Sequence, residues 1–138
     1  MRRRILIVDD EPIVRAIIAR LLEEEGYDVT EVSDAPRALA AARAAAPPFD
    51  LVITDNLMPG MSGRRLLDEL RAEWPDLAVV LISGLPLVDP LPPGDRLRRL
   101  EKPVLPERLY TVVRELLGPT PAHDRGRPSW PGFRARSD

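Results

Sequence analysis

Apolar runs and helical stripes alternate along this chain, and no other feature restricts its fold so strongly. Residues 5–8 form a short continuous apolar run, as expected of a strand covered on both faces. Pro12 suits a first helical turn. Ile13, Ile17 and Leu21, with Val14, Ile18 and Leu22, predict one apolar stripe on a helix that Gly26 ends. Residues 28–32 read as a second strand, and Asp34 and Pro36 open an alanine-rich helix that must stop by Pro47-Pro48. A third strand covers residues 51–54. The loop Met58-Pro59-Gly60-Met61-Ser62-Gly63 follows Asp55 and offers Ser62 as a helix cap. Leu66, Leu67, Leu70 and Trp74 mark the next helix, which Pro75 closes. Residues 77–82 make a fourth strand and Leu100-Glu101 a weak fifth. Pro106 then opens a last helix carrying Leu109, Val112, Val113, Leu116 and Leu117, with Gly118 at its end.

This alternation predicts an α/β protein: a flavodoxin-like, doubly wound, five-stranded parallel sheet in the order 2-1-3-4-5. The connection from residue 84 to 98 holds Pro86, Pro90, Pro92 and Pro93, so the helix expected between the last two strands is predicted to be absent, shortened or unwound. With 138 residues the chain is long enough for one core and short for two. Residues 1–118 are read as that domain. Residues 119–138, rich in proline and arginine, are read as a tail without regular structure, whose Trp130 and Phe133 are spare aromatics in preference to a docking element. A net charge of −2 gives no overall bias toward nucleic acid or membrane, and the absence of cysteine excludes disulfides, thiolate metal sites and thiol nucleophiles. The four-residue apolar run after the basic start is too short for a signal peptide or membrane span, so a cytoplasmic location is expected.

Polar residues recur where apolar runs end. Asp9, Asp10 and Glu11 follow the first strand, Asp55 the third, Ser83 ends the fourth, and Lys102 follows the fifth. In a parallel sheet these ends share one edge, and in the order 2-1-3-4-5 the first and third strands are neighbours. Each residue alone has a structural explanation: Asp10 as a helix cap, Asp55 as a turn residue, Ser83 at a strand exit, Lys102 as a solvated charge. Their joint placement is what carries weight. So does the fact that Lys102 is the single lysine beside nineteen arginines, since it offers a compact ammonium where a guanidinium fork will not serve. Clustered carboxylates repel unless a cation intervenes, and an all-oxygen ligand set suits a hard ion, Mg²⁺ (or Mn²⁺). A carboxylate in such a site can attack phosphorus to form an acyl phosphate, with charge offset by the ammonium.

The segments from Ile5 to Pro12, from Phe49 to Asp55 with Met58-Pro59-Gly60-Met61-Ser62-Gly63, Ile82-Ser83-Gly84 and Glu101-Lys102-Pro103 together resemble the receiver domain of two-component response regulators, in the single-domain form of the chemotaxis regulators. The resemblance spans about residues 3 to 117. It implies that Asp55 is the phosphoacceptor, taking phosphate from a histidine kinase or a small phosphodonor in a Mg²⁺-dependent reaction that the domain itself catalyses, as it does its dephosphorylation. It implies that Asp10 and Asp55 bind the metal directly, Asp9 through water, and the Leu57 backbone carbonyl as a further ligand. Ser83 would be the switch hydroxyl, Lys102 the phosphate contact, and Lys102-Pro103 a cis peptide. The partners implied are a sensor histidine kinase or phosphotransfer protein and a downstream protein, with a homodimer left open; direct DNA or membrane binding is not expected.

Three departures qualify this pattern. The proline-rich connection stands where the family places a helix, and Leu87, Val88 and Leu91 there read equally as a contact surface or as core cover. Arg99 occupies the place of an aromatic switch residue, and an arginine would pair with an acid or with the phosphoryl group instead of rotating into an apolar slot. Leu57 and Leu85 are apolar and cannot orient a water, which predicts slow self-dephosphorylation. The alternative function is a phosphate-independent binding module of the same fold. A Mg²⁺-dependent phosphatase of the haloacid-dehalogenase type is disfavoured because Leu57 stands where its second aspartate would be, and a flavodoxin because no phosphate loop follows the first strand. A stand-alone regulator, a relay shuttle and a fragment of a longer protein all remain compatible with the sequence.

Overall fold

A computed structural model describes residues 2–84, 94 and 96–119. The expectations about Leu85, Pro86, Leu87, Val88, Pro90, Leu91, Pro92 and Pro93, and about the tail from 120 onward with Trp130 and Phe133, lie outside these described residues. The elements run β1 (Arg4–Val8), α1 (Pro12–Glu24), β2 (Asp28–Val32), α2 (Ala35–Ala44), β3 (Leu51–Asp55), α3 (Gly63–Glu73), β4 (Ala78–Ser83), β5 (Leu97–Glu101) and α4 (Pro106–Leu117). All strand pairs are parallel and the sheet order is β2-β1-β3-β4-β5, as expected.

Side-chain alternation along the strands divides the interior into two layers. Ile5 and Ile7 of β1, Ile53 of β3, and Val80 and Ile82 of β4 face one side, where Ile18 and Leu22 of α1 and Leu109 and Val113 of α4 cover them. Leu6, Val8 and Val52 face the other, beneath Ala38 and Leu39 of α2 and Leu66 and Leu70 of α3. The three central strands are buried on both faces, which is why their sequences are apolar almost throughout.

The local signals act where they stand. Asp34 accepts a hydrogen bond from the Arg37 amide at 2.8 Å, and Ser62 accepts one from the Arg65 amide at 3.1 Å. Gly26 and Gly118 take left-handed φ values of 99° and 81° just beyond α1 and α4.

Two expectations need correction. The α1 stripe is rotated: Ile18, Ala19 and Leu22 are buried, whereas Ile13 and Ile17 are 75% and 56% exposed. At about 100° per residue, six apolar positions spread over more of the circumference than the sheet can cover, and the small Ala19 completes the buried face. The second correction is to β5, which begins at Leu97 and not at Leu100, so part of the assumed connection is strand. As an edge strand it buries only Leu97 and Leu100 and shows no continuous apolar run.

Candidate functional site

The strand order reverses between β1 and β3, and the carboxyl ends of those strands meet there. Asp9 follows β1 and Asp55 is the last residue of β3; they are 1% and 2% exposed. Asp10 is exposed beside them. It does not cap α1, whose N-cap is Glu11 with no side-chain capping bond. One carboxylate oxygen from each of Asp9, Asp10 and Asp55 lies within 4.8 Å of the others. Lys102 reaches in from beyond β5, its Nζ 3.2 Å from Asp55 Oδ1 and 3.7 Å from Glu11 Oε1. The Lys102-Pro103 peptide is cis, as is Ala46-Pro47, which the sequence did not suggest. Ser83, buried at the end of β4, accepts the Lys102 amide on its carbonyl at 3.0 Å, which fixes the root of that lysine.

A cleft of about 470 Å³ opens over these groups, lined by Asp10, Glu11, Asp55, Leu57, Met58, Pro59 and Lys102. Burial pushes the Asp9 carboxyl above its ordinary value; the Glu11 amide, which donates to Oδ1 at 2.9 Å, opposes this, and the charge of Asp55 adds to it. Burial likewise raises Asp55 against the pull of Lys102, with Asp10 and Glu11 adding repulsion. Burial lowers Lys102, but Asp55, Asp9 and Glu11 together outweigh it, so its net shift is upward. Among the described residues, Asp9 Oδ2 is buried without a hydrogen-bond donor, and buried Asp55 Oδ1 has only the Lys102 ammonium, at 3.2 Å. Buried carboxylate oxygens of Asp9 and Asp55 beside a third carboxylate, with no histidine or cysteine ligand among the described residues, fit a hard divalent cation.

The structure thus gathers Asp9, Asp10, Asp55, Leu57 and Lys102, and sets Ser83 just behind. It does not bring Arg99 to the cleft. Arg99 is exposed on β5 and pairs with Glu101 at 3.8 Å, the acid partner being one of its two expected choices. Two contributions were not assigned from the sequence. Glu11, placed in the acidic run without a role, shares Lys102 with Asp55. Gly63 packs so tightly that a Cβ there would stand 2.3 Å from the Asp55 carbonyl oxygen, with no sequence signal beyond glycine in a loop.

The doubly wound α/β domain thus sets three carboxylates and an ammonium together at its switch point, an arrangement able to hold a cation and an anionic group at the sheet edge. The response regulator receiver domain matches residues 5–89, and the chain belongs to that family. It is 39% identical over 62% of its length to the probable transcriptional regulatory protein TcrX of Mycobacterium tuberculosis, covering 36% of that protein. The CheY-like receiver domain protein of Methanospirillum hungatei superposes with a TM-score of 0.74 at 26% identity, over 85% of this chain and 94% of that one. A chain from the complex of the histidine kinase ThkA with the response regulator protein TrrA gives 0.72 at 30% identity, over 83% of this chain and 98% of that one. The chain thus spans about a third of TcrX, and it spans 12% of the sensor kinase CckA of Brucella abortus. Among the described residues no helix is long and apolar enough to cross a membrane.

Proposed function

We propose that Asp55 accepts a phosphoryl group from a histidine kinase or phosphotransfer protein, in a reaction that requires Mg²⁺ or Mn²⁺, and that the modified domain signals through partner contacts. The observation that carries this reading is the convergence of three carboxylates within 4.8 Å, with the Lys102 ammonium 3.2 Å from Asp55. Asp9, Asp10 and Asp55, with the Leu57 carbonyl, would hold the cation, which when bound supplies positive charge for the carboxylates and the transferring group. One Asp55 oxygen bonds to phosphorus as the donor's P–N bond breaks, and the departing imidazole takes a proton from water. Lys102 offsets charge on the phosphoryl oxygens and the Ser83 hydroxyl hydrogen-bonds one of them. Hydrolysis of the acyl phosphate then resets the domain.

Residues 1–118 are the receiver in this reading and 119–138 a segment apart from it; α4 ends at Leu117. The kinase partner is supported by the ThkA–TrrA likeness. Exposed apolar residues support it as well: Leu57 in the cleft wall, Ile13 and Ile17 on α1, and Leu105 before α4. A phosphate-independent binding module is the second reading, and the exposed Arg99–Glu101 pair, in place of an aromatic switch, is what favours it.

Intact mass after incubation with phosphoramidate or acetyl phosphate, with and without Mg²⁺, tests the proposal. A Mg²⁺-dependent gain of one phosphoryl group that Asp55→Asn abolishes is expected. No gain by a folded chain would refute phosphoacceptance and leave the binding module.

A further inference from the structure

The cation reading above leaves open what aims the Asp9 carboxylate, and the bonds around this residue are unusually complete. Its amide donates to the Val32 carbonyl at 3.2 Å, continuing the β1–β2 ladder. Its Oδ1 accepts from the Glu11 amide at 2.9 Å. Its carbonyl accepts from Arg15 Nη1 at 2.7 Å. Only Oδ2 remains, buried and without a donor among the described residues. Arg15 is itself held: its side chain is 19% exposed, and Nε lies 3.2 Å from Glu31 Oε1 near the end of β2. One guanidinium therefore ties the peptide after Asp9 to the neighbouring strand, using two nitrogens of a rigid fork.

We propose that Arg15, tethered by Glu31, is a positioning residue that fixes the Asp9 main chain so that Oδ2 faces the cation site. This rests on the cation part of the proposed function. Charge and position act with opposite signs here, which makes the role separable. A guanidinium this close repels a divalent ion, so if Arg15 acted only as a charge, its removal would tighten binding. If it holds Asp9 in place, its removal weakens binding, since groups that orient a ligand cost about 10- to 100-fold in metal affinity when lost. Lysine keeps the charge but cannot make both contacts, so it will not restore the geometry.

The test is Mn²⁺ titration of the full chain, following free ion by electron paramagnetic resonance, for the unsubstituted protein, Arg15→Met and Arg15→Lys. Circular dichroism melts without cation are recorded in parallel. Arg15→Met is expected to bind Mn²⁺ about tenfold more weakly, and Arg15→Lys, which keeps the repelling charge without the geometry, at least as weakly. Equal or tighter binding by Arg15→Met overturns the proposal, even if its melting temperature drops. Should Arg15→Met not fold, Arg15→Lys decides, and unchanged affinity there overturns it. An unsubstituted chain that binds no Mn²⁺ removes the cation reading and this proposal with it. Equal binding by all three leaves that reading standing and removes only the role of Arg15.

Discussion

Gly63 is the position where a single methyl group should do most damage. A Cβ built there lies 2.3 Å from the Asp55 carbonyl oxygen, 2.8 Å from Asn56 Cα and 2.9 Å from Leu81 Cδ1. The first contact falls about 0.7 Å short of the 3.0 Å limit that real Cβ atoms keep. The oxygen cannot retreat: Asp55 ends a strand buried along its whole length, and the Thr54 hydroxyl donates to that same oxygen at 3.0 Å. The first turn of α3 must move instead. That disturbs the Gly63 amide bond to the Asn56 carbonyl, at 2.9 Å, and the Arg64 amide bond to Asn56 Oδ1, also at 2.9 Å. Overpacking of this kind costs about 1–3 kcal/mol, and alanine's better helix propensity returns at most about 1 kcal/mol. A net loss near the top of the difference, about 2 kcal/mol, lowers the melting temperature by roughly 8 °C in a domain of this size. Melts of Gly63→Ala against Gly84→Ala measure it, because a Cβ at Gly84 meets only ordinary contacts at 3.6 Å and 3.7 Å with Lys102. A Gly63→Ala melt within about 2 °C of the parent would refute the steric reasoning.

Burial and neighbouring acids hold the Asp55 proton more tightly in the folded chain, so its contribution to stability is complete below the ordinary pKa of 3.8 and is lost as pH rises through the higher folded value. In chelator-treated buffer at neutral pH, Asp55→Asn should therefore be more stable than the parent, with the difference shrinking on acidification. A less stable variant in urea titrations at pH 7 would sink this. Tyr27 is 2% exposed and its hydroxyl has no hydrogen-bond partner among the described residues, so Tyr27→Phe should be neutral or stabilising by up to about 1 kcal/mol, and a clear loss in a denaturant melt would show that the hydroxyl is satisfied. Leu57 is 74% exposed in the cleft wall, two residues from Asp55, and cannot orient a water. Leu57→Asn should shorten the life of the phosphoryl group, read by the decay of the phosphorylated mass after removal of donor; unchanged decay counts against the idea.

Much of this protein was legible because strands buried on both faces must be apolar throughout. That rule exposes β1, β3 and β4 and shows about where each ends, so Asp55 and Ser83 at the ends of β3 and β4, and Asp9 just after β1, are assigned to one edge from the sequence. Caps at Asp34 and Ser62 were readable for a similar reason, being decided within three residues of chain. The signal failed where burial is partial. Edge strand β5 hides its start behind Arg98 and Arg99, and α1 carries more apolar residues than its sheet-facing side can bury.

What only the tertiary structure decided are quantities that depend on separation through space between residues far apart in sequence. The unsatisfied Oδ2 of Asp9, the sharing of Lys102 between Asp55 and Glu11, and the bridge from Arg15 to Glu31 arise when β1, β2, β3 and β5 are brought to one edge. Gly63 belongs with them: nothing local requires glycine there, and the demand comes from a carbonyl oxygen eight residues back in the chain. Sequence determined which chemical groups meet, because topology follows from hydrophobic pattern. Packing determined how closely they meet, and hence which carboxylate oxygens are left for a cation.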